Sequence, residues 1–253
     1  MLDMEGLKNL VMRDGIAPLF VTVSGAHLYG FPSPDSDVDL RGCHLLPLRD
    51  VVGLDLPNQT VERKFDLAGV EVEWVSHDLG KYLRLLVKNN GYVLEQIFSP
   101  LVVLGQEILD ELRPLARRCI TRHHYHHYRG FLATQRKLLE KQEPKVVKSV
   151  LYAYRVLLTG IHLLHTGEVE ANLPRLAGLY GQPFLENLIA RKQQEKGTAA
   201  DLDWPFHDAR LRELEAVLDQ AYREAPLPEE RDRNAVHQFL VKWRLQGAYG
   251  GME

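Results

Sequence analysis

The hydrophobic pattern of this chain changes its period near Gly105, and that change constrains the fold more than any other sequence feature. Before Gly105, residues 19–25 form a β-branched run that ends in glycine, and residues 70–75 alternate apolar and acidic side chains. A period of two is typical of half-buried strands. After Gly105, leucines recur at the three-to-four spacing of amphipathic helices. These stretches are 107–141, 145–166, 183–196, 207–224 and 229–246.

The pattern predicts an α+β protein with two domains. A small mixed-sheet domain is expected over residues 1–108, and a C-terminal helical-bundle domain over residues 109–253. Two further strands are expected at 38–47 and 61–66, and a helix at 79–87, because their apolar residues have the corresponding periods. The apolar fraction of 45% is enough for a packed core, which excludes a disordered chain.

Charge is distributed unevenly along the chain, although the formal total is only −3. Residues 113–155 contain 11 Lys/Arg and 2 Asp/Glu, a net charge of +9, whereas residues 1–112 carry −8. A basic stretch of this kind favours polyanionic partners, and the alternative is a solvated helix face. We call residues 113–155 the basic segment.

Other features of the sequence indicate a cytoplasmic protein. No apolar run approaches ~18–20 residues, so no membrane span is expected. The first ten residues lack a basic region followed by an apolar one, as a secretory signal requires. Two cysteines do not form a disulfide framework.

The densest chemistry lies between Ser24 and Gly42. Asp37 and Asp39 are separated by one residue, and on a strand that spacing puts both carboxylates on one face, with Cβ atoms about 7 Å apart. A third carboxylate is available at Glu71 or Glu73 on the predicted strand 70–75. If these strands are neighbours, three carboxylates converge.

Converging carboxylates of this kind suit metal-dependent chemistry on a phosphate. Hard carboxylate oxygens are preferred ligands of Mg²⁺, and two ions ~3.5–4 Å apart stabilise an in-line displacement at phosphorus. The turn at Gly25 and Ala26 offers backbone N–H groups to an anion. The alternative is an acidic edge strand whose charges prevent aggregation.

These motifs resemble those of the DNA-polymerase-β-like nucleotidyltransferase superfamily. The detail is closest to its RNA-repair-associated (RlaP-like) group, whose members read roughly G-S-x-x-Y-G and then S-D-x-D-x-R-G. The matching positions of the first motif pair are Gly25, Tyr29, Gly30, Ser36, Asp37, Asp39, Arg41 and Gly42. Later matches are Asn90, Leu94, Glu95, Arg155, Leu157, Leu158, Thr166, Gly167 and Glu168. The resemblance covers about residues 20–170.

The resemblance implies roles for these positions. Asp37 and Asp39 would bind two Mg²⁺ or Mn²⁺ ions, and Glu73 would be the third carboxylate and assist deprotonation of the acceptor. Glu73 is preferred to Glu71 because it lies the expected few residues before the predicted helix 79–87. The positions expected to bind the nucleotide are Ser24, Gly25, Ala26, Tyr29, Ser36 and Arg41.

Two positions depart from the family pattern. Ala26 stands where the family has a serine whose hydroxyl would contact the β- or γ-phosphate, and Ser24 is the candidate to replace that hydroxyl. Gly91 stands where the family usually has proline, a difference that we interpret as structural.

Helical spacing adds candidates outside this region. Lys148, Tyr152 and Arg155 share one face of the predicted helix 145–166, and we expect this face to border the nucleotide and contact its triphosphate. The alternative is that Tyr152 and Arg155 pack between helices.

The basic segment is expected to bind the RNA backbone. Its candidate phosphate-binding residues are Arg117, Arg118, Arg122 and Arg129. Tyr125 and Tyr128 lie among them and are expected to stack on unpaired bases.

The combined pattern predicts a metal-dependent nucleotidyltransferase. An acceptor hydroxyl, with an RNA end favoured, would attack the α-phosphorus of an NTP and release pyrophosphate. Two alternatives stay open: nucleotide transfer to a protein side chain, as in antitoxin-like members of the superfamily, and a nucleotide- or RNA-binding module without catalysis, which Ala26 would be compatible with.

Overall fold

The computed structural model describes residues 2–194 and 202–249. The chain forms two compact units, and each is made from separate segments. The first unit contains the segments up to residue 25, 37–119 and from 230 onward, and the second contains 26–36 and 120–229.

The first unit is built on a five-stranded mixed sheet. Its strands are β1 (Pro18–Val23), β2 (Val38–His44), β3 (Thr60–Leu67), β4 (Val70–Asp78) and β5 (Val102–Leu104). Their order in the sheet is β3-β4-β2-β1-β5. The β2 and β4 strands are parallel, and the other neighbours are antiparallel. The predicted α+β class is therefore confirmed.

The described residues also form helices, which loops connect to the strands and to one another. The helices are α1 (Met4–Met12), α2 (Gly25–Tyr29), α3 (Leu48–Val51), α4 (Leu79–Leu86), α5 (Gly91–Ile97), α6 (Gln106–Arg117), α7 (His124–Lys141), α8 (Val147–Thr166), α9 (Leu173–Leu179), α10 (Phe184–Gln193), α11 (Trp204–Glu224) and α12 (Arg233–Tyr249). The first unit includes α1, α3–α6 and α12, and the second includes α7–α11.

Alternation along β4 separates the core from the acidic face of the sheet. Val72 and Trp74 are fully buried in the core cluster, which also contains Leu40 of β2. Glu71 and Glu73 point to the opposite face, because successive strand residues alternate. Asp78 then ends β4 and caps α4, since its Oδ1 accepts a hydrogen bond of 2.9 Å from the Gly80 N–H. Hydrophobic alternation thus presents the acidic residues away from the core.

The second unit is organised around α8. Fifteen of its 20 residues are buried, and α7, α9, α10 and α11 pack against it. At Gly160 a Cβ would lie 2.9 Å from the Cβ of Tyr128, so glycine permits the close approach of α7. By length and composition α8 could cross a membrane, but most of its surface is buried within the protein, as in a core helix.

The two structural units have different boundaries from the two domains predicted over residues 1–108 and 109–253. Both α6 and α12 belong with the sheet, and residues 26–36 belong with the helical unit. The predicted stretch 107–141 is interrupted, because α6 ends at Arg117 and α7 starts at His124. The stretch 183–196 gives α10, and its positions 195–196 lie outside the described residues. A domain boundary at residue 108 stays a prediction.

Candidate active site

Asp39 and Glu73 face each other on adjacent parallel strands. They are register partners between β2 and β4, so their side chains emerge side by side on one face of the sheet. The Asp39 side chain is 19% exposed and the Glu73 side chain is 36% exposed. The strand bearing the glutamates is thus a neighbour of the strand bearing the Asp-x-Asp motif, which was the condition for the carboxylates to converge.

Glu71 has a different environment from Glu73. Its Oε1 lies 2.8 Å from the Nζ of Lys64 on β3, in an exposed ion pair. The pKa of Lys64 is raised, first by the hydrogen bond to Glu71 and by its charge, and further by the charges of Glu73 and Asp37. Of the two glutamates, Glu71 is thus paired with Lys64, and Glu73 is the one that lies opposite Asp39.

A guanidinium group lies between the two facing carboxylates. The Nη2 of Arg41 lies 2.8 Å from the Oδ1 of Asp39 and 3.1 Å from the Oε1 of Glu73. Its Nη1 donates a hydrogen bond of 3.0 Å to the carbonyl of Leu40. Arg41 was expected to bind nucleotide, and in this structure it neutralises the carboxylate pair.

Gly25 approaches Asp39 too closely for any other residue. It has a φ of +61°, and a Cβ there would lie 1.9 Å from the Oδ2 of Asp39. The preceding Ser24 is buried, and its N–H donates a hydrogen bond of 2.8 Å to the Asp39 carbonyl. The turn after β1 thus fixes the second aspartate of the motif, in addition to the anion-binding role expected for it.

The carboxylates differ from the three-ligand arrangement that the sequence predicts. Asp37 lies one residue before β2 and is half-buried. Residues 2–194 and 202–249 contain no group of three or more His, Cys, Asp or Glu side chains that could hold a metal ion. Asp39 and Glu73 are both directed toward the guanidinium of Arg41.

The donor chemistry nevertheless fits a hard divalent cation. Two carboxylates on adjacent strands already share one cationic group, and carboxylate oxygens are the ligands that Mg²⁺ and Mn²⁺ prefer. Asp39 and Glu73, with Asp37 two residues before Asp39, are the residues that would hold such an ion.

Several residues expected to bind nucleotide belong to the helical unit, where some are buried in its core. Arg155 is 1% exposed, and its guanidinium lies 4.1 Å from the ring centroid of Tyr29, which is itself 3% exposed. Tyr152 packs edge-on against Tyr29, at 5.7 Å between ring centroids. These contacts are those of the packing alternative for Tyr152 and Arg155. Lys148 is exposed, and its contact with a triphosphate stays a prediction.

Ser36 belongs to a polar cluster that the sequence did not indicate. The Nζ of Lys192 on α10 contacts the Oγ of Ser33 and lies 2.9 Å from the Oγ of Ser36. The pKa of Asp35 is lowered, chiefly by a hydrogen bond from Ser33, with smaller effects from the charges of Lys192 and Lys148. No sequence signal links Lys192 to a loop 156 residues earlier. Ala26, the first residue of the segment 26–36 that contains this loop, is buried.

The arginines of the basic segment are largely engaged with nearby groups. Arg129 lies 2.5 Å from Glu215 and 3.5 Å from Asp219, both on α11. Arg118 forms an ion pair with Asp232, and the guanidinium of Arg117 lies 5.2 Å from the ring centroid of Phe98.

Arg122 and the two tyrosines follow the same trend. Arg122 donates a hydrogen bond of 2.6 Å to the Tyr222 carbonyl and lies 3.5 Å from Glu229. Tyr125 stacks on the Tyr222 ring at 4.4 Å. Tyr128 is 1% exposed, so the expectation that it stacks on bases is wrong in this structure. Acidic side chains distant in sequence thus offset much of the linear charge of +9.

The mixed sheet contains an Asp-x-Asp strand, a glycine turn packed against it, and a glutamate on its parallel neighbour. These features define the class of the protein, a polymerase-β-like nucleotidyltransferase. A family model described as "RNA repair pathway DNA polymerase beta family" (RlaP) matches residues 2–242. The chain belongs to this family.

Two similar proteins support the match over most of the chain. The uncharacterized protein MJ0002 of Methanocaldococcus jannaschii is 30% identical over 220 residues, which cover 86% of this chain and 90% of that protein. The uncharacterized protein YcgL of Bacillus subtilis is 26% identical over 233 residues, which cover 86% of each.

Proposed function

We propose that this protein transfers a nucleoside monophosphate from an NTP to an acceptor hydroxyl, with release of pyrophosphate. The observation that carries the proposal is the register pairing of Asp39 with Glu73 across β2 and β4, beside the close approach of Gly25. Family membership supports the same reaction class.

In this proposal, Asp37, Asp39 and Glu73 hold the divalent ions, Mg²⁺ or Mn²⁺. When bound, the ions would neutralise charge on the reacting phosphates and the leaving group. The packing of Gly25 against Asp39, and the hydrogen bond from Ser24 to the Asp39 backbone, keep this carboxylate in place. Orientation by fixed groups is a large part of catalysis in phosphoryl transfer.

The chemical step balances without a further reactant. The acceptor oxygen forms a bond to the α-phosphorus, and the bond from the α-phosphorus to the bridging oxygen of the β-phosphate breaks. Pyrophosphate leaves with that electron pair. The proton of the acceptor hydroxyl passes to the carboxylate of Glu73, which is accessible enough to receive it.

An RNA end is the acceptor that we propose, in a cytoplasmic setting. Its support is the association of the family with RNA repair and the Lys/Arg content of the basic segment. Contacts of the nucleotide with Ala26, Tyr29, Ser36, Lys148, Tyr152 and Arg155 remain predictions that this proposal does not require.

The test is a transfer assay with each α-³²P-labelled NTP, Mg²⁺ or Mn²⁺, and either RNA or cell-extract protein. We expect labelled RNA, and we expect the label to disappear in Asp39→Asn and in Glu73→Gln. Glu71→Gln is the matched control, since Glu71 pairs with Lys64, and it should retain most of the transfer.

Each other outcome has a definite meaning. Label on protein instead of RNA would replace the proposed acceptor by a protein side chain. NTP binding without transfer to either acceptor would identify a binding module. Transfer that survives Asp37→Ala combined with Asp39→Ala would overturn the mechanism.

A further inference from the structure

One guanidinium group occupies the position between the two facing carboxylates of the sheet. Arg41 follows Asp39 by two residues on β2, so both side chains lie on the same face, and Glu73 lies opposite on β4. The same Nη2 atom contacts one oxygen of each carboxylate, at 2.8 and 3.1 Å. The three groups form a compact ionic triad across two strands.

The triad is partly withdrawn from water. The side chains of Arg41 and Asp39 are 23% and 19% exposed, and Nη1 of Arg41 is held by the Leu40 carbonyl. Partial burial strengthens the attraction of unlike charges and the repulsion of like charges. The nearby ammonium of Lys64 is directed to Glu71, at 2.8 Å. Arg41 therefore supplies positive charge where the two carboxylates would otherwise repel each other.

We propose that Arg41 is a built-in counter-ion for this carboxylate pair, which a divalent cation must displace in order to bind. The proposal rests on the proposed function, because it assumes that Asp39 and Glu73 are metal ligands. An ion in the position between the two carboxylates would take the oxygens that Arg41 now contacts, Oδ1 of Asp39 and Oε1 of Glu73, at distances of about 2.0–2.1 Å for Mg²⁺. A guanidinium cannot keep both hydrogen bonds while a second cation occupies the same oxygens.

The consequence is that Arg41 lowers the affinity of the site for metal. Metal binding must break two charge-assisted hydrogen bonds, and breaking bonds of this class has a substantial cost in a partly buried site. Removing the guanidinium should tighten Mn²⁺ binding by about 10-fold to 100-fold, from the magnitude of such bonds. Arg41 is thus a positioning residue: it organises the ligands before the ion arrives.

The test measures Mn²⁺ affinity by calorimetry and by electron paramagnetic resonance, without NTP and without activity. Arg41→Met is expected to bind Mn²⁺ more tightly than the parent chain. Arg41→Gln keeps a hydrogen-bond donor but loses the charge, and should give an intermediate affinity; it also serves if Arg41→Met fails to fold.

The control for general electrostatics is Lys64→Met. It removes the same unit of charge from β3 but leaves both hydrogen bonds of Arg41 to Asp39 and Glu73 in place, so the affinity for Mn²⁺ should change by much less. An equal effect of Lys64→Met and Arg41→Met, or an unchanged affinity in Arg41→Met, would overturn the displacement.

The same titrations separate this inference from the proposed function. If Asp39→Asn and Glu73→Gln bind Mn²⁺ as the parent does, the carboxylates are not ligands and the proposed metal site fails. If both variants no longer bind Mn²⁺ while Arg41→Met binds it unchanged, only the counter-ion role of Arg41 fails.

Discussion

The carboxylate of Asp78, which is fully buried, lies 2.6 Å from the guanidinium of Arg244, 166 residues later in the chain. Arg244 also donates a hydrogen bond of 2.8 Å to the Leu46 carbonyl, while the Leu46 N–H donates to the other oxygen of Asp78. This ion pair joins the end of β4, the start of α4 and the last helix, α12. The ion pair therefore fixes the C-terminal end of β4, the strand that carries Glu73.

Removing Arg244 should destabilise the protein strongly. Arg244→Met leaves a buried carboxylate without its charged partner, which typically costs about 3–5 kcal/mol of unfolding free energy. Urea denaturation measures the change. Lys242→Met is the matched control, because Lys242 lies on the same helix as Arg244 but forms an exposed ion pair, with Glu111 of α6. Loss of this pair should lower the unfolding free energy by about 1 kcal/mol or less. Equal destabilisation of the two variants would contradict the importance of the buried pair.

Gly25→Ala should disable the candidate site through its contact with Asp39. The positive φ of Gly25 and the 1.9 Å approach of a Cβ to Asp39 both oppose the substitution. A displacement of about 1 Å at a reacting group can lower the rate about 100-fold. Nucleotide transfer and Mn²⁺ affinity are the two measurements.

Gly15→Ala is the control for backbone strain alone. Gly15 has a φ of +77°, and nothing lies within 4 Å of its ideal Cβ. We expect Gly15→Ala to lower the stability by about 1–2 kcal/mol through its positive φ alone, with transfer retained. A Gly25→Ala protein that transfers nucleotide as well as Gly15→Ala would refute the role of the close approach.

The stability of the protein should fall between pH 6.5 and pH 4. Burial, with a smaller effect of the charge on Arg155, lowers the pKa of His127 from its ordinary value of 6.5 to about 4. Unfolded chains take up this proton near pH 6.5 while the folded protein does not, so acid favours unfolding within that range. His77, whose pKa burial likewise lowers to about 4, acts in the same direction.

Urea denaturation as a function of pH tests this prediction. In His127→Phe the decline of unfolding free energy between pH 6.5 and 4 should be shallower, because one of the contributing histidines no longer titrates. Tyr128→Phe, at the next position of α7, should keep the full decline. An unchanged pH dependence in His127→Phe would show that His127 does not contribute.

RNA affinity should depend on Arg117 more than on Arg129. Arg117 is exposed and its guanidinium lies 5.2 Å from the ring centroid of Phe98, whereas the guanidinium of Arg129 is paired with the carboxylates of Glu215 and Asp219. For each RNA phosphate that the protein no longer neutralises, the negative slope of log affinity against log salt concentration becomes shallower by about 0.7–0.9. Filter binding of single-stranded RNA at several salt concentrations compares Arg117→Gln with Arg129→Gln. A larger effect of Arg129→Gln would mean that its ion pairs open on binding.

The parts of the fold that could be predicted are those with a strong local period. Alternation of Val72 and Trp74 with Glu71 and Glu73 predicts β4, and burial confirms it. The preference for Glu73 over Glu71 depended on the family resemblance, and the register of β2 with β4 now places Glu73 beside Asp39. The three residues of β5 are too few for a periodic signal.

Contacts between distant residues account for what the sequence did not reveal. Arg41 is near Asp39 in sequence, but its second partner, Glu73, is 32 residues away. The basic segment has a high linear charge, yet its Arg129 and Arg136 share Glu215 of α11. Pairings of this kind arise from tertiary packing, which hydrophobic period and charge counts along the chain do not encode.

The pairing of Asp78 with Arg244 has a consequence for synthesis of the protein. A ribosome that adds about 5–20 residues per second needs roughly 8–33 s to advance the 166 residues between them. During that interval the nascent chain carries the aspartate without its guanidinium partner. The sheet unit therefore cannot be completed until translation has passed through residues 120–229 of the helical unit.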